Sequence, residues 1–303
     1  MAPKRGILLR TGAAGLALAL MWGTAVVAPA APRPAGQTTA QAETRAAETG
    51  DRLTLKEAGR EFLSDTGRIW SSPARIKAKN IVPLVGLAAA TAFLIASDES
   101  IRDGVQTFTG KHAWVKDVAP AVTQMGGLAG FATAGAFFGA GLIFKDARAR
   151  DTGYLAANAI LQSFLVDSFL KSITGRQRPS AAGDDHWAGP AGFFERFEKG
   201  QAAFYTSFPS GHAAAAFSLA TVIAMQYRHN AWVPVVAYTV AAGVALSRLA
   251  LDHHWASDVA IGAVVGHLVA RLVVRNHGRR QRVVPVLACT GRGVAFSVFV
   301  DLD

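Results

Sequence analysis

Charge is scarce in this chain. Asp, Glu, Lys and Arg make up 17% of its 303 residues, well under the roughly 25% usual in soluble domains, which argues against an ordinary solvated fold. Cysteine is nearly absent. The lone Cys289 closes no intrachain disulfide and builds no thiolate zinc site by itself, so it reads as a small residue of a C-terminal strand or tail. Sustained strand alternation is missing until that tail, and no repeat of fixed period is present, which excludes a repeat array.

What is present is apolar and unevenly spread. Apolar residues are 51% of the chain, and long apolar runs alternate with short Arg-rich stretches. The expected fold class is all-α, a bundle of about six core helices, mostly membrane-spanning, with a short β-hairpin at the C-terminus. The net charge of +10 invites a nucleic-acid reading. The basic residues, however, sit between apolar runs, as they do beside membrane segments on the cytoplasmic side. A membrane is therefore the expected partner, and nucleic acid is not.

Residues 1–30 read as a signal peptide or signal-anchor, with Lys4, Arg5 and Arg10 before the apolar stretch Ala13–Ala28 and a small-residue site at Ala28-Pro29-Ala30. Residues 31–50 lack periodic hydrophobicity and read as a disordered linker. Residues 51–80 form an amphipathic helical segment with Leu53, Leu55, Ala58, Phe62 and Leu63, lying on the membrane surface or on the bundle. Residues 81–276 hold the helical domain, and 277–303 a basic tail in which Arg282–Val300 supplies the hairpin. Within the domain the apolar segments are Ile81–Ser97, Val118–Phe144, Tyr154–Leu170, Ala213–Tyr227, Trp232–Leu251 and Val259–Val274. The second is Gly-rich, which allows close helix contact. Asp167 interrupts the third and is expected to face the bundle interior, supporting a site or making a structural hydrogen bond.

Chemistry concentrates in three stretches: Lys171–Pro179 (KSITGRQRP), Pro209–His212 (PSGH) and Ser247–Asp258 (SRLALDHHWASD). His254 and Asp258 are four apart, so on a helix they share a face. A carboxylate on one imidazole nitrogen fixes the tautomer and leaves the other lone pair free to attack. His253 is a second imidazole without an i+4 carboxylate. Ser210 precedes a helical run as an N-cap, leaving the N–H groups of Gly211, His212 and Ala213 unpaired, an arrangement that attracts phosphate. Gly211 admits close backbone approach. His212 in the first turn is placed to give a proton to a leaving oxygen. Lys171, Arg178 and Arg248 form an anion clamp, or else snorkel to the headgroups as interfacial anchors. If the helices alternate direction, all three stretches emerge at one end of the bundle.

Lys171-x6-Arg178-Pro179, Pro209-Ser210-Gly211-His212 and Ser247-Arg248-x5-His254-x3-Asp258 together resemble the three-part signature of the type 2 phosphatidic acid phosphatase superfamily, which also contains class A acid phosphatases and vanadium haloperoxidases. The resemblance implies a phosphatase with no cofactor or metal, working through a phosphohistidine. It implies His254 as nucleophile, Asp258 as its orienting partner and His212 as general acid, with Lys171, Arg178, Ser210, Gly211 and Arg248 on the phosphoryl oxygens. The apolar bundle points to a lipid phosphate monoester or isoprenyl pyrophosphate as substrate. The competing readings are a soluble periplasmic acid phosphatase on small phosphoesters, a vanadate-dependent haloperoxidase, and a non-catalytic binder of anionic lipid. The basic stretches 68–79, 145–150 and 275–282 favour cytoplasmic placement of their end, and hence a bacterial-type membrane with an extracytoplasmic active site, whereas a cleaved signal followed by six full spans puts the same loops inside unless Ile81–Ser97 does not span or the bundle is peripheral. The loop Ser180–Ser207 is expected to shape substrate access.

Overall fold

A computed structural model describes residues 55–181, 187–198, 200, 206–281, 283–290 and 293–300. The expected export segment 1–30 and linker 31–50 lie outside the described residues.

Nine helices and one hairpin are described. They are α1 Leu55–Trp70, α2 Ile81–Lys111, α3 Ala113–Gln124, α4 Leu128–Ile143, α5 Ala147–Thr174, α6 Gly189–Glu198, α7 Gly211–Gln226, α8 Trp232–Ala250 and α9 Ala256–Gln281. Strands β1 Val283–Thr290 and β2 Gly293–Val300 pair antiparallel, with Val283 opposite Val300 and Cys289 opposite Val294. The architecture is an all-α bundle with the hairpin expected at its C-terminus.

Helices α5, α7 and α9 form the centre, with α4 against α5 and with α8 joining α7 to α3. Alanine and glycine dominate the contact surfaces. Ala134, Ala156, Ala159 and Ala270 are buried together with Leu155, Val222, Val269 and Val273. Small side chains let helix backbones approach closely where lipid supplies no hydrophobic drive. At Gly266 of α9 a Cβ would stand 2.1 Å from the Ala214 carbonyl oxygen of α7, so a glycine is required there for contact.

Among the described residues, three helices are long and apolar enough to cross a membrane: α2 with its preceding turn, α8, and α9 as far as Gly278. The expected segment Val118–Phe144 is divided instead into α3 and α4, bent by 47° at the break. The break falls at Met125–Gly127, where the chain crosses the start of α7. A Cβ on Gly126 would lie 2.5 Å from Val244 Cγ1 and 2.6 Å from the His212 carbonyl oxygen. Gly126 and Gly127 thus form a bend over His212, while Gly141 makes the close helix contact expected of the segment, a Cβ there lying 2.2 Å from Arg150 N of α5. Exposed Phe93, Leu142, Ile143, Phe144, Trp232 and Leu246 face outward, which suits hydrocarbon rather than water. The chain is a helical membrane protein.

Helix α1 packs on the bundle through polar contacts. Asp65, 1% exposed, accepts from Asn158 Nδ2 of α5 at 2.9 Å and from Asn276 Nδ2 of α9 at 3.1 Å. Gln162 Nε2 donates to the Phe62 carbonyl at 2.9 Å.

Candidate active site

Four helix termini converge at one end of the bundle. Helices α5 and α8 end there, and α7 and α9 begin there. The joints are short hydrogen bonds: Lys171 Nζ to the Pro209 carbonyl at 2.9 Å, Ser210 N to the Asp258 carbonyl at 3.0 Å, and His253 N to the Arg248 carbonyl at 3.1 Å. Helix α5 stops because Gly175 adopts a left-handed φ of 53° as its C-cap, a conformation glycine takes without penalty. That turn sends Arg176–Arg178 across the bundle end.

His254 is fully enclosed. Its Nδ1 lies 2.8 Å from the Ser207 carbonyl and 3.5 Å from Asp258 Oδ2. A carbonyl only accepts, so Nδ1 carries the proton and Nε2 keeps the free lone pair. The nearer partner fixing the tautomer is thus the Ser207 backbone, with the Asp258 carboxylate flanking it, rather than the carboxylate alone. Asp258 is occupied elsewhere. Its Oδ2 accepts from Ser207 Oγ at 2.5 Å and Trp255 N at 2.9 Å, and its Oδ1 from Arg176 Nη1 at 2.6 Å. It therefore holds the segment that presents the carbonyl as well as flanking the ring. Burial first, and then the guanidiniums of Arg248 and Arg178, push the His254 pKa down to about 4 against the pull of Asp258, so the ring is neutral at physiological pH.

His212 stands in the first turn of α7, outside the three candidate spans, beneath the bend at Gly127, where a Cβ would lie 3.3 Å from its Nε2. Burial, then Arg248, Arg178, Lys171 and His253, lower its pKa to about 4. The same permanent cations act on both His212 and His254, so the two imidazoles and the clamp residues share one electrostatic field. His253 is shifted down in the same way, and its buried Nδ1 has no hydrogen-bond partner.

The clamp residues are placed unequally. Arg248 Nη1 donates to Thr123 Oγ1 of α3 at 2.9 Å, and Arg178 Nη2 lies 3.5 Å from Thr206 Oγ1. The Nε groups of both arginines are buried without an acceptor. Burial lowers the Arg178 pKa, as expected for a cation held away from water without a paired carboxylate. Lys171 is instead paired with Asp167 one turn back on α5, which gives Asp167 a definite partner. Ser210 occupies the N-cap position of α7, but its hydroxyl makes no capping bond and is buried without a partner. Its backbone is committed to Asp258 and Ala214, so the hydroxyl remains free beside the unpaired first-turn N–H groups. Gly211 fits where a Cβ would come within 3.1 Å of Asp167 Oδ2.

The sequence reading passed over Arg176. It is 3% exposed and donates from Nη1 to Ser257 Oγ at 2.6 Å and to Asp258, and from Nη2 to Asp98 Oδ2 of α2 at 2.7 Å. Trp187 and Trp255 lie over its guanidinium at 4.5 and 5.2 Å. Asp98 also accepts from Ser257 N and Oγ. The available signal was Asp98, an acid just past the apolar run Ile81–Ser97, which calls for a buried partner as Asp167 did. Part of the access loop, residues 182–186, 199 and 201–205, lies outside the described residues. Its described part carries α6 and Trp187.

Comparison with known proteins follows the same residues. Residues 152–282 match the family model described as the PAP2 superfamily. A curated relative, lipid A 1-phosphatase of Porphyromonas gingivalis, is 28% identical over 240 residues, covering 77% of this chain. The chain spans 46% of that protein's length. Two solved structures are similar: LpxE of Aquifex aeolicus (18% identity, TM-score 0.45, 59% of this chain and 94% of that one), and the first transmembrane PAP2 type phosphatidylglycerolphosphate phosphatase of Bacillus subtilis (23% identity, TM-score 0.46, 64% and 95%).

Proposed function

We propose that this chain, whose residues 152–282 match the PAP2 superfamily model, is a member of that superfamily and hydrolyses phosphorylated lipids, either phosphate monoesters or isoprenyl pyrophosphates, through a phosphohistidine. The observation that carries the reading is a neutral, fully buried His254 with Nδ1 tied to a carbonyl, in the field of two arginines whose Nε groups lack acceptors. A nucleophile and an oxyanion clamp at a helix N-terminus are the parts that phosphoryl transfer needs.

The reaction runs in two steps. His254 Nε2 attacks phosphorus in line, a P–N bond forms, and the P–O bond to the leaving group breaks while His212 gives that oxygen its proton. His212 then takes a proton from water, the hydroxide attacks phosphorus, and the P–N bond breaks to release inorganic phosphate. Substrate phosphate returns negative charge to the cluster of cations, which raises the His212 pKa toward the value an acid catalyst needs. Arg178, Arg248, Lys171, the Ser210 hydroxyl and the N–H groups of Gly211 and His212 hold the equatorial oxygens. No metal is required by these steps.

The apolar outer surface supports a lipid substrate, as does the relative named for lipid A. The basic stretches 145–150 and 275–281 sit at the ends of α5 and α9 away from the site, which supports a site facing the extracytoplasmic side. The test is phosphate release by detergent-solubilised full chain from phosphatidic acid, an isoprenyl pyrophosphate and a water-soluble phosphomonoester, each with and without EDTA. Acid-labile, alkali-stable protein-bound phosphate should accumulate transiently. EDTA-sensitive turnover, or turnover by His254→Ala, would overturn the mechanism. Preference for the soluble ester would overturn the substrate class.

A further inference from the structure

Four arginines gather at the end of the bundle away from the active site. Arg68 near the end of α1, Arg75 in the 3-10 turn Pro73–Arg75, and Arg271 and Arg275 of α9 line one cavity of about 580 Å³. The remaining lining is Ser72, Leu268, Leu272 and Asn276. No carboxylate of the described residues is part of it. Arg68 donates to Asn276 Oδ1 at 3.0 Å, and among the described residues Arg75, Arg271 and Arg275 form no ion pair. Guanidinium groups stay charged at any biological pH, so their convergence is unfavourable until an anion joins them.

The order of side chains along α9 describes the anion. Leu268, Arg271, Leu272 and Arg275 are spaced i, i+3, i+4 and i+7 and share one face. At 1.5 Å per residue, Arg271 and Arg275 lie roughly 22 and 28 Å along the helix from Ala256, near the full thickness of a hydrocarbon core of about 30 Å. The arginines thus reach the membrane boundary remote from the active site, and Leu268, 54% exposed, sits one turn nearer the bilayer centre. Cation at the boundary and apolar surface below it is the complement of an amphiphile with its phosphate outward and its chain inward.

We propose that this cavity binds the headgroup of an anionic phospholipid from the leaflet remote from the active site, and that the lipid bridges α1 and its following turn to α9. The lipid is not a substrate, because its phosphate is a bilayer's thickness from His254. It acts by holding α1 in place, beside the protein's own link from Asp65 and Arg68 to Asn276. Basic pockets between helices at a membrane boundary recognise lipid phosphates by this chemistry. Two arginines with planar forks suit a phosphodiester better than a lysine would.

The experiment compares thermal unfolding of the full chain in neutral detergent with phosphatidylcholine alone and with added phosphatidylglycerol. Phosphatidylglycerol should raise the melting temperature by several degrees in the wild type and in Arg248→Gln, whose phosphate clamp at the active site is damaged, and should do so little in Arg271→Gln/Arg275→Gln. Glycerol 3-phosphate at the same concentration should give no shift. An undiminished shift in the double variant, or loss of the shift in Arg248→Gln, would overturn the proposal, as would an equal shift with glycerol 3-phosphate. Basal phosphatase activity of the double variant in neutral detergent should stay within about twofold of wild type. If it does not, Arg75→Gln, on an exposed turn, takes its place. It should at least halve the lipid-induced shift, and an unchanged shift again refutes the site.

Discussion

Arg176 and Asp258 form a buried ion pair, Nη1 to Oδ1 at 2.6 Å, and the same guanidinium reaches Asp98 through Nη2 at 2.7 Å. One side chain from the loop after α5 thereby ties α2 to the start of α9. The consequence reaches the nucleophile, because Asp258 holds Ser207, and Ser207 holds His254.

Breaking that pair from one side leaves a buried carboxylate uncompensated, which typically destabilises by about 3–5 kcal/mol. Arg176→Met should lower the melting temperature and reduce kcat, with a smaller effect on KM because Arg176 does not face the phosphate. Arg176→Met combined with Asp98→Asn should regain part of the stability but not the turnover, since Asp258 still lacks its anchor. Equal loss of kcat and of substrate affinity would instead place Arg176 among the phosphate-binding groups.

Proton transfer to the leaving oxygen is the step assigned to His212, and its importance depends on how poor the leaving group is. His212→Ala should lower the rate of phosphoenzyme formation by about 10²- to 10⁴-fold on an alkyl phosphate. The loss in that step should be much smaller on an aryl phosphate whose phenolate leaves without help. Pre-steady-state rates of leaving-group release on the two substrate types decide the matter. Identical losses on both would remove the general-acid role. Phosphoenzyme should build up in this variant, because the water-activating base of the second step is also gone.

Much of this site was legible in the sequence because its parts are local. The Ser210-Gly211 helix start and the arginine preceding Pro179 follow from a residue's own backbone preference, whereas His254 meets Asp258 from the turn before α9, which begins at Ala256, and not from a shared helix face. The all-α class followed from apolar runs of spanning length. What could not be read was which partner each group selects across the fold. The Ser207 carbonyl as the nearer partner of Nδ1, Thr123 on Arg248, and Arg176 shared between Asp98 and Asp258 join residues 47 to 125 positions apart. Nothing in local periodicity encodes such pairings. The bend at Gly126 was missed for the same reason. Glycine in an apolar run permits either a close seam or a break, and the choice is made by the α7 backbone beneath it.

Stability should carry the signature of the neutral, buried imidazole. An unfolded histidine titrates near 6.5, whereas burial holds His254 down to about 4. Between those values the unfolded chain binds a proton that the native state refuses, so stability rises with pH across the window. It is complete above about 6.5 and lost as pH falls toward about 4, by roughly 3 kcal/mol for this one group. His254→Gln removes the titration, and its unfolding free energy should fall less steeply than that of wild type across the same window. Denaturant titrations at successive pH values measure the difference, and parallel curves would show that the native ring titrates normally.

Arg248 is the clamp residue whose geometry is most demanding. Its Nη1 is already engaged by Thr123 Oγ1 at 2.9 Å, which orients the plane of the guanidinium, while the buried Nε has no acceptor and stays available to the phosphoryl oxygens. A lysine offers one ammonium at one point and cannot hold Thr123 and also present a fork to two oxygens. Arg248→Lys keeps the charge, so substrate should still be drawn to the site and KM should change little. The bond that strengthens as charge spreads over the equatorial oxygens is lost, and kcat should fall by about 10²-fold, in line with removal of one preorganised donor. Thr123→Val keeps the fork but releases its plane, and should give a smaller decrease in the same parameter. If Arg248→Lys raised KM with kcat unchanged, the guanidinium would be binding substrate and transition state alike, and the directional role assigned to it would be wrong.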